Sequence, residues 1–137
     1  MGTEAEPRIH RVVCIEDNED MVKLITIILK AKGFEVHSAM SGPEGLALIS
    51  STKPDVVLLD LMMPGMDGWE VYQIMKADET MRTIPVIVVT CKAQPIDIAL
   101  AMHIAKVNDY ITKPFSPSRL EEGINKVLSI SEKSLQQ

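Results

Sequence analysis

The stretch DVVLLDLMMPGMDG, residues 55–68, decides the fold. Its run Val56–Leu59 is unbroken, apolar and rich in branched side chains, which is typical of a strand buried on both faces of a parallel sheet. The run ends at Asp60, and Pro64 and Gly65 then favour a tight turn. The stretch therefore predicts a buried strand that carries a carboxylate at its carboxyl end.

The same kind of apolar run recurs along the chain. The runs predict five strands, which are Val12–Ile15, Phe34–Ala39, Val56–Leu59, Val86–Val89 and Tyr110–Ile111. Apolar residues three and four apart predict a helix after each strand, within Asp20–Lys32, after Ser41, at Trp69–Met75, at Ile96–Ala105 and after Ser116–Pro117. Five such repeats predict an α/β protein with a single doubly wound (βα)5 domain, a five-stranded parallel sheet and helices on both faces.

Composition and charge exclude several classes of protein. The 137 residues suit one domain, predicted over residues 9–130 with flexible ends at 1–8 and 131–137. The net charge of −5 argues against a protein that tracks nucleic-acid phosphates. No apolar run reaches the roughly 18 residues of a membrane span, and the polar N-terminus lacks the apolar segment of a signal peptide. We therefore expect a cytoplasmic protein without direct contacts to nucleic acid or membrane.

Reactive side chains follow the predicted strands at the point where each strand ends. They are Glu16, Asp17, Asp60, Thr90 and Lys113. In an open parallel sheet, ligands bind just beyond the carboxyl ends of the strands, so these residues are expected to converge. Three neighbouring carboxylates repel one another unless a cation is bound. Mg²⁺ suits such oxygen ligands, with Mn²⁺ as an alternative.

The remaining side chains of the set suit phosphoryl transfer. Lys113 supplies a point charge for a phosphoryl group, and Thr90 supplies a hydroxyl donor. Asp60 can act as an oxygen nucleophile that forms an aspartyl phosphate. Phosphoryl transfer needs little beyond positioning and neutralisation of charge, so the set is chemically sufficient.

These residues lie in motifs that resemble the receiver domain of two-component response regulators. The motifs are VVCIEDNED at 12–20, DVVLLDLMMPGMDG at 55–68, IPVIVVT at 84–90 and DYITKPF at 109–115. They occur in the family's order and at its usual spacing, and the resemblance covers about residues 9–130. It implies the strand order 2-1-3-4-5, one of the two common orders of doubly wound sheets.

The resemblance implies a role for each site residue. Asp60 would be the phosphoacceptor. The implied Mg²⁺ ligands are Asp17, Asp60, the backbone carbonyl of Met62 and, directly or through water, Glu16. The implied phosphoryl ligands are Thr90, the backbone N–H of Cys91 and Lys113, which precedes a cis peptide bond at Pro114. The implied switch residues are Thr90 and Tyr110, and the residues that would tune dephosphorylation are Met62 and Lys92.

The function that the resemblance implies is a phosphorylation-dependent switch in a phosphorelay. A sensor histidine kinase or a histidine phosphotransfer protein would donate a phosphoryl group to Asp60 with Mg²⁺. The surface of the fourth helix, fifth strand and fifth helix would then change and regulate a protein target. The chain would be a monomer or a weak, phosphorylation-dependent dimer. It would catalyse its own phosphorylation and dephosphorylation without being a turnover enzyme.

Three other functions are alternatives. A haloacid-dehalogenase-type phosphatase requires a second Asp two residues after the nucleophile, where this chain has Met62. A flavin carrier of the same fold requires a Ser-, Thr- or Gly-rich phosphate loop after the first strand, where this chain has the acidic segment EDNED. A receiver that acts only as an unphosphorylated docking module would not need every site residue, yet all of them are present.

The fourth helix departs from the family pattern. The stretch between Thr90 and Lys113 is one residue longer than is common, and Lys106 replaces a usual glycine. We place the irregularity at the helix's C-terminal end, around His103–Val107, either as a strained left-handed cap or as a wider turn. Met102, His103 and Lys106 are expected to be exposed there on a partner or dimer surface.

Overall fold

The computed structural model describes the backbone of residues 8–136 and the side chains of residues 8–129. The strands are β1 (Arg11–Ile15), β2 (Glu35–Ala39), β3 (Val56–Leu59), β4 (Val86–Thr90) and β5 (Asp109–Thr112). The helices are α1 (Glu19–Ala31), α2 (Gly42–Thr52), α3 (Gly68–Ala77), α4 (Pro95–Ala99), which continues as a π-helix (Leu100–Ala105), and α5 (Pro117–Gln136). Strand and helix alternate throughout, as the apolar runs predict.

The five strands form one parallel sheet in the order β2-β1-β3-β4-β5. This confirms the predicted α/β class and the 2-1-3-4-5 order. Alternate side chains of each strand enter two separate core clusters, so that Val13 and Ile15 pack on one face and Val12 and Cys14 on the other. Helices cover both faces because both faces of the central strands are apolar.

Side-chain caps fix where several helices begin. The carboxylate of Asp67 accepts the backbone N–H of Glu70 at 3.0 Å, and the hydroxyl of Ser116 accepts that of Arg119 at 3.0 Å. Asn18 does the same for α1, with its side-chain oxygen 2.9 Å from the N–H of Met21. Each cap satisfies a backbone donor that has no partner inside its helix. The caps hold the first turns of α1, α3 and α5 in place near the carboxyl edge of the sheet.

The irregularity predicted around His103–Val107 includes the left-handed cap, one of the two predicted forms, but it begins earlier, inside the helix. The segment Leu100–Ala105 is π-helical, and Lys106 ends it in the left-handed conformation, with φ 61° and ψ 44°. A π-turn accommodates one more residue than an α-turn, so the extra residue is taken up before the cap. His103 and Lys106 are exposed as predicted, but Met102 is half-buried against the core. The expectation of an exposed Met102 is therefore wrong.

Described residues at both predicted ends belong to a contact or to a helix. Arg8, which the sequence assigns to a flexible end, forms an ion pair with Asp55. Helix α5 continues to Gln136, past the predicted end of the domain. Residues 1–7 lie outside the described residues. Among the described residues, no helix has the length and apolarity needed to span a membrane.

Candidate functional site

Backbone hydrogen bonds place Glu16 and Asp60 side by side. Beyond the end of β1, the N–H of Glu16 donates to the carbonyl of Ala39 at 3.0 Å. The N–H of Asp60 donates to the carbonyl of Ile15 at 3.1 Å. Asp17 follows directly, and carboxylate oxygens of Glu16, Asp17 and Asp60 all lie within 4.8 Å of one another. The structure thus brings together the three carboxylates that the sequence predicts at this edge.

Lys113 reaches into this carboxylate cluster from the end of β5. Its ammonium contacts the carboxylate of Glu16 and lies 3.2 Å from Oδ2 of Asp60. Its own backbone N–H donates to the carbonyl of Thr90 at 2.9 Å, which fixes the strand end beside β4. The Lys113–Pro114 peptide bond is cis, as predicted.

Burial and charge set the protonation behaviour of this cluster. Burial raises the pKa of Glu16, although the hydrogen bonds from Lys113 and from the N–H of Asn18 oppose the shift. Burial alone would lower the pKa of Lys113, but its hydrogen bond to Glu16 and the charge of Asp60 outweigh burial and raise it. Lys113 is therefore held as a cation between two carboxylates.

The donor set fits a hard divalent cation. Three carboxylates and one ammonium leave two negative charges without a compensating cation in the cluster. Oxygen ligands and two excess negative charges match Mg²⁺, which binds through one or two carboxylates and keeps several waters. This is the one such group of acidic, histidine or cysteine side chains within the described part of the chain. The Met62 carbonyl remains a predicted ligand.

Asp60 is held rigidly at the centre of the site. One of its carboxylate oxygens, Oδ1, accepts the N–H of Met62 at 3.1 Å, while Oδ2 faces Lys113. Asp60 is only 5% exposed, whereas the Met62 side chain beside it is 52% exposed. The carboxylate is thus buried and oriented by the protein, whereas the apolar side chain two residues further on is about half exposed.

The end of β4 and the loop after it carry two of the predicted phosphoryl ligands, Thr90 and Cys91. Thr90 is fully buried, and its hydroxyl oxygen accepts the N–H of Lys92 at 3.4 Å. Cys91 and Lys92 are exposed. Tyr110 is buried, and its hydroxyl donates to the carbonyl of Lys92 at 2.8 Å. Tyr110 is therefore connected to Thr90 through the loop between them, which fits the predicted pairing of these two residues.

Gly68 is a site residue whose role the sequence does not reveal. A Cβ atom at this position would lie 2.3 Å from the carbonyl oxygen of Asp60 and 2.6 Å from Cα of Leu61. The N–H of Gly68 also donates to the carbonyl of Leu61 at 3.1 Å. The start of α3 therefore packs directly on the backbone that carries Asp60. A glycine in a turn-rich loop indicates a bend, but it does not show which backbone approaches it.

Gly68→Ala is expected to lower the free energy of unfolding by about 3 kcal/mol, the upper part of the range for overpacking, because backbone atoms cannot move aside as a flexible side chain can. Gly65→Ala is the matched control. Gly65 has a positive φ of 76° but open space around it, so that only backbone strain of about 1 kcal/mol is expected. Chemical denaturation measures both, and equal losses for the two variants would contradict the packing argument.

Comparison with known proteins identifies the family. Residues 12–125 match the response regulator receiver domain family. The chain therefore belongs to the receiver domains of two-component response regulators, whose general function is that of a phosphorylation-dependent switch. The family is not a class of turnover enzymes, and its members typically bind Mg²⁺ at an acidic pocket.

Individual relatives agree with this assignment. The chain is 34% identical over 110 residues to the DNA-binding response regulator MtrA of Mycolicibacterium paratuberculosis, covering 80% of this chain and 47% of MtrA. It is 39% identical over 104 residues to the response regulator PleD of Caulobacter vibrioides, covering 76% of this chain and 23% of PleD. The chain thus spans about half the length of MtrA. It spans 23% of the length of PleD.

A solved structure shows the same fold with appreciable sequence identity. The N-terminal domain of a response regulator receiver protein from Methanoculleus marisnigri superimposes with a TM-score of 0.72 and 35% identity. The match covers 88% of this chain and 98% of that chain. The two chains therefore share one fold over most of their length.

Proposed function

We propose that this chain accepts a phosphoryl group on Asp60 and that the resulting charge changes the surface around α4, β5 and α5. The observation that carries the proposal is the convergence of Glu16, Asp17 and Asp60 with Lys113, which are drawn from the ends of three different strands. No single structural role explains three carboxylates and a lysine gathered at the ligand-binding edge of a parallel sheet.

In the proposed reaction, a carboxylate oxygen of Asp60 attacks the phosphorus of a phosphohistidine. A bond forms between that oxygen and phosphorus, the bond between phosphorus and the imidazole nitrogen breaks, and the imidazole leaves with the electron pair and takes up a proton. Lys113 and Thr90 then hold oxygens of the transferred group. Asp17, Glu16, Asp60 and the Met62 carbonyl would hold Mg²⁺, which supplies neutralisation of the charge that gathers on the phosphoryl oxygens.

The switch follows from the added charge. A phosphoryl group on Asp60 brings acceptor oxygens next to Lys113 and close to the buried Thr90. If the Thr90 hydroxyl turns to donate to a phosphoryl oxygen, the loop at Cys91 and Lys92 moves with it. Tyr110, whose hydroxyl donates to the Lys92 carbonyl, connects that loop to β5. The change thus biases a two-state arrangement of the fourth and fifth α/β units.

The proposed partners are proteins. A sensor histidine kinase or a histidine phosphotransfer protein supplies the phosphoryl group, and a protein target binds the changed surface. The acidic balance of the chain, with a net charge of −5, supports a protein target rather than nucleic acid for this domain. The relative MtrA is described as DNA-binding, and the chain matches 47% of its length.

Incubation with acetyl phosphate tests the proposal, because this small donor needs no partner protein. We expect the intact mass to increase by one phosphoryl group in the presence of Mg²⁺ and to stay unchanged with a chelator. The label should be lost on brief treatment with alkali, as an acyl phosphate is. A label that forms equally well with the chelator, or none in either condition, would contradict the proposal.

Met62→Asn is expected to speed loss of the phosphoryl group several-fold. The Met62 side chain is two residues after the acceptor and 52% exposed, and it cannot orient a water molecule, whereas an asparagine amide can. Met62→Leu is the control, since leucine is similarly bulky and apolar and should keep the parent's rate. Decay of the label after removal of acetyl phosphate measures the rate, and equal decay in Met62→Asn and the parent would refute the role of Met62.

A role in dephosphorylation for Lys92, which is exposed and lies two residues after Thr90, stays a prediction.

A further inference from the structure

The helical segment after Thr90 is weakly anchored to the rest of the fold. Between Cys91 and Lys106, Ala101 is the single buried residue. Ile96, Leu100 and Ile104 are large apolar residues that are each about half exposed or more. A segment with so few buried contacts lies at the low-stability end of a structure, where local rearrangement costs least. What holds this segment in place therefore matters for any switch that uses it.

The second half of this segment is in an uncommon conformation. The π-helix Leu100–Ala105 ends with Lys106 in the left-handed region, which disfavours a residue with a side chain. The N–H groups of Lys106 and Val107 both donate to the Ala101 carbonyl. Such conformations persist where surrounding contacts impose them, and π-turns occur frequently at functional sites.

Tyr72 of α3 contacts the end of the π-helix. Its hydroxyl donates to the carbonyl of Ala105, the last residue of the π-helix, at 2.6 Å. The Tyr72 ring makes an edge-on contact with Trp69, with centroids 6.0 Å apart, and the ammonium of Lys76 lies 5.2 Å from the ring centroid. An open pocket of about 220 Å³ lies beside this contact, lined by Trp69, Leu100 and Ala105 among others.

The contact is connected to the phosphoacceptor by a second route. Helix α3 begins at Gly68, which packs against the backbone of Asp60 and Leu61. Tyr72 lies one turn further along the same helix. This route passes through α3 and does not involve Thr90 or Tyr110, which act at the other end of the segment. The only two tyrosines of the chain thus hold the segment at its two ends.

We propose that Tyr72 is a positioning residue of the switch: its hydrogen bond to Ala105 holds the π-turn in the unphosphorylated state, and phosphorylation releases it. The inference rests on the proposed function. When Thr90 draws the loop toward a phosphoryl group, the segment moves with the loop, whereas α3 stays fixed to the backbone of Asp60. The bond between Tyr72 and Ala105 resists that motion, and its loss lets the turn change register.

Tyr72→Phe tests this inference, since it removes the hydroxyl and keeps the ring. We expect the Lys106 and Val107 amides to exchange hydrogen about 3- to 10-fold faster, the effect of losing one net hydrogen bond. Beryllofluoride, a stable phosphoryl mimic, should bind in the presence of Mg²⁺ with an affinity higher by a similar factor, because the bond no longer opposes activation. A merely structural role of Tyr72 would not tighten that binding.

Two further variants sharpen the test. Lys76→Met removes the cation over the Tyr72 ring but keeps the hydroxyl, so beryllofluoride affinity should equal that of the parent. In the second variant, deletion of the exposed His103 is expected to shorten the π-turn to an α-turn. Adding Tyr72→Phe to that deletion should then have no further effect on the affinity for beryllofluoride. If the parent binds no beryllofluoride, the proposed function itself fails. If it binds and Tyr72→Phe binds with unchanged or lower affinity, only the role of Tyr72 is refuted.

Discussion

Asp60→Asn is expected to abolish phosphoryl labelling by acetyl phosphate. Asparagine has the same shape as aspartate, so the contact of Oδ1 with the Met62 N–H can be kept. An amide, however, has no nucleophilic carboxylate oxygen and cannot form an acyl phosphate. Intact-mass measurement after incubation with acetyl phosphate and Mg²⁺ should therefore show no labelled protein, where the parent is labelled.

Asp67→Asn is the matched control for this loss. Asp67 lies in the same loop and caps α3 through the N–H of Glu70, and asparagine caps a helix as well as aspartate does. The control should be labelled like the parent. Undiminished labelling of Asp60→Asn, in a sample that unfolds at the parent's temperature, would show that another residue is the acceptor.

Asp17→Asn is expected to weaken Mg²⁺ binding by at least about tenfold. Loss of residues that only contact a metal ligand already costs about 10- to 100-fold in affinity, and Asp17 is proposed as a direct ligand. The weaker binding should also reduce the stabilisation of the folded protein by Mg²⁺. Mg²⁺ at 100 times the parent's Kd should stabilise the parent by about 2.7 kcal/mol, but a variant with a tenfold weaker Kd by about 1.4 kcal/mol.

Without Mg²⁺, Asp17→Asn is expected to raise the free energy of unfolding rather than lower it. Lys113 pairs with Glu16 and Asp60, and the Asp17 carboxylate adds a further negative charge within 4.8 Å of theirs. Removing that charge relieves repulsion, so the metal-free variant should be more stable than the parent. Asp20→Asn, in the exposed first turn of α1, should leave Mg²⁺ affinity unchanged. A Kd for Asp17→Asn equal to the parent's would disprove its role as a ligand.

The carboxylate cluster could be predicted from the sequence because one rule of topology places it. Glu16, Asp60 and Lys113 each follow an apolar run, and parallel strands present their carboxyl ends at one edge. The rule requires only that the runs be recognised as strands, which their apolar branched residues allow. The contacts of Lys113 with both carboxylates then require only that its long side chain reach from the end of β5 past β4 to the ends of β3 and β1.

The contacts around α3 and the π-helix could not be predicted in this way. The hydroxyl of Tyr72 meets a backbone carbonyl 33 positions further along the chain, and no pattern of residue types marks a carbonyl acceptor. The extra residue before β5 was evident from spacing, but its place in the helix depends on which conformation the core and Tyr72 favour. Met102 is half-buried because the wider turn begins before it, at Leu100.

The central claim, that Asp60 carries the phosphoryl group, is tested most directly by chemical trapping. Borohydride reduces an acyl phosphate on aspartate to homoserine, whereas phosphate esters of serine or threonine are not reduced. The protein is phosphorylated with acetyl phosphate and Mg²⁺, reduced, digested and sequenced by tandem mass spectrometry. We expect homoserine at position 60 and at no other position. Homoserine at position 17 or elsewhere, or a phosphate that survives as an ester, would contradict it.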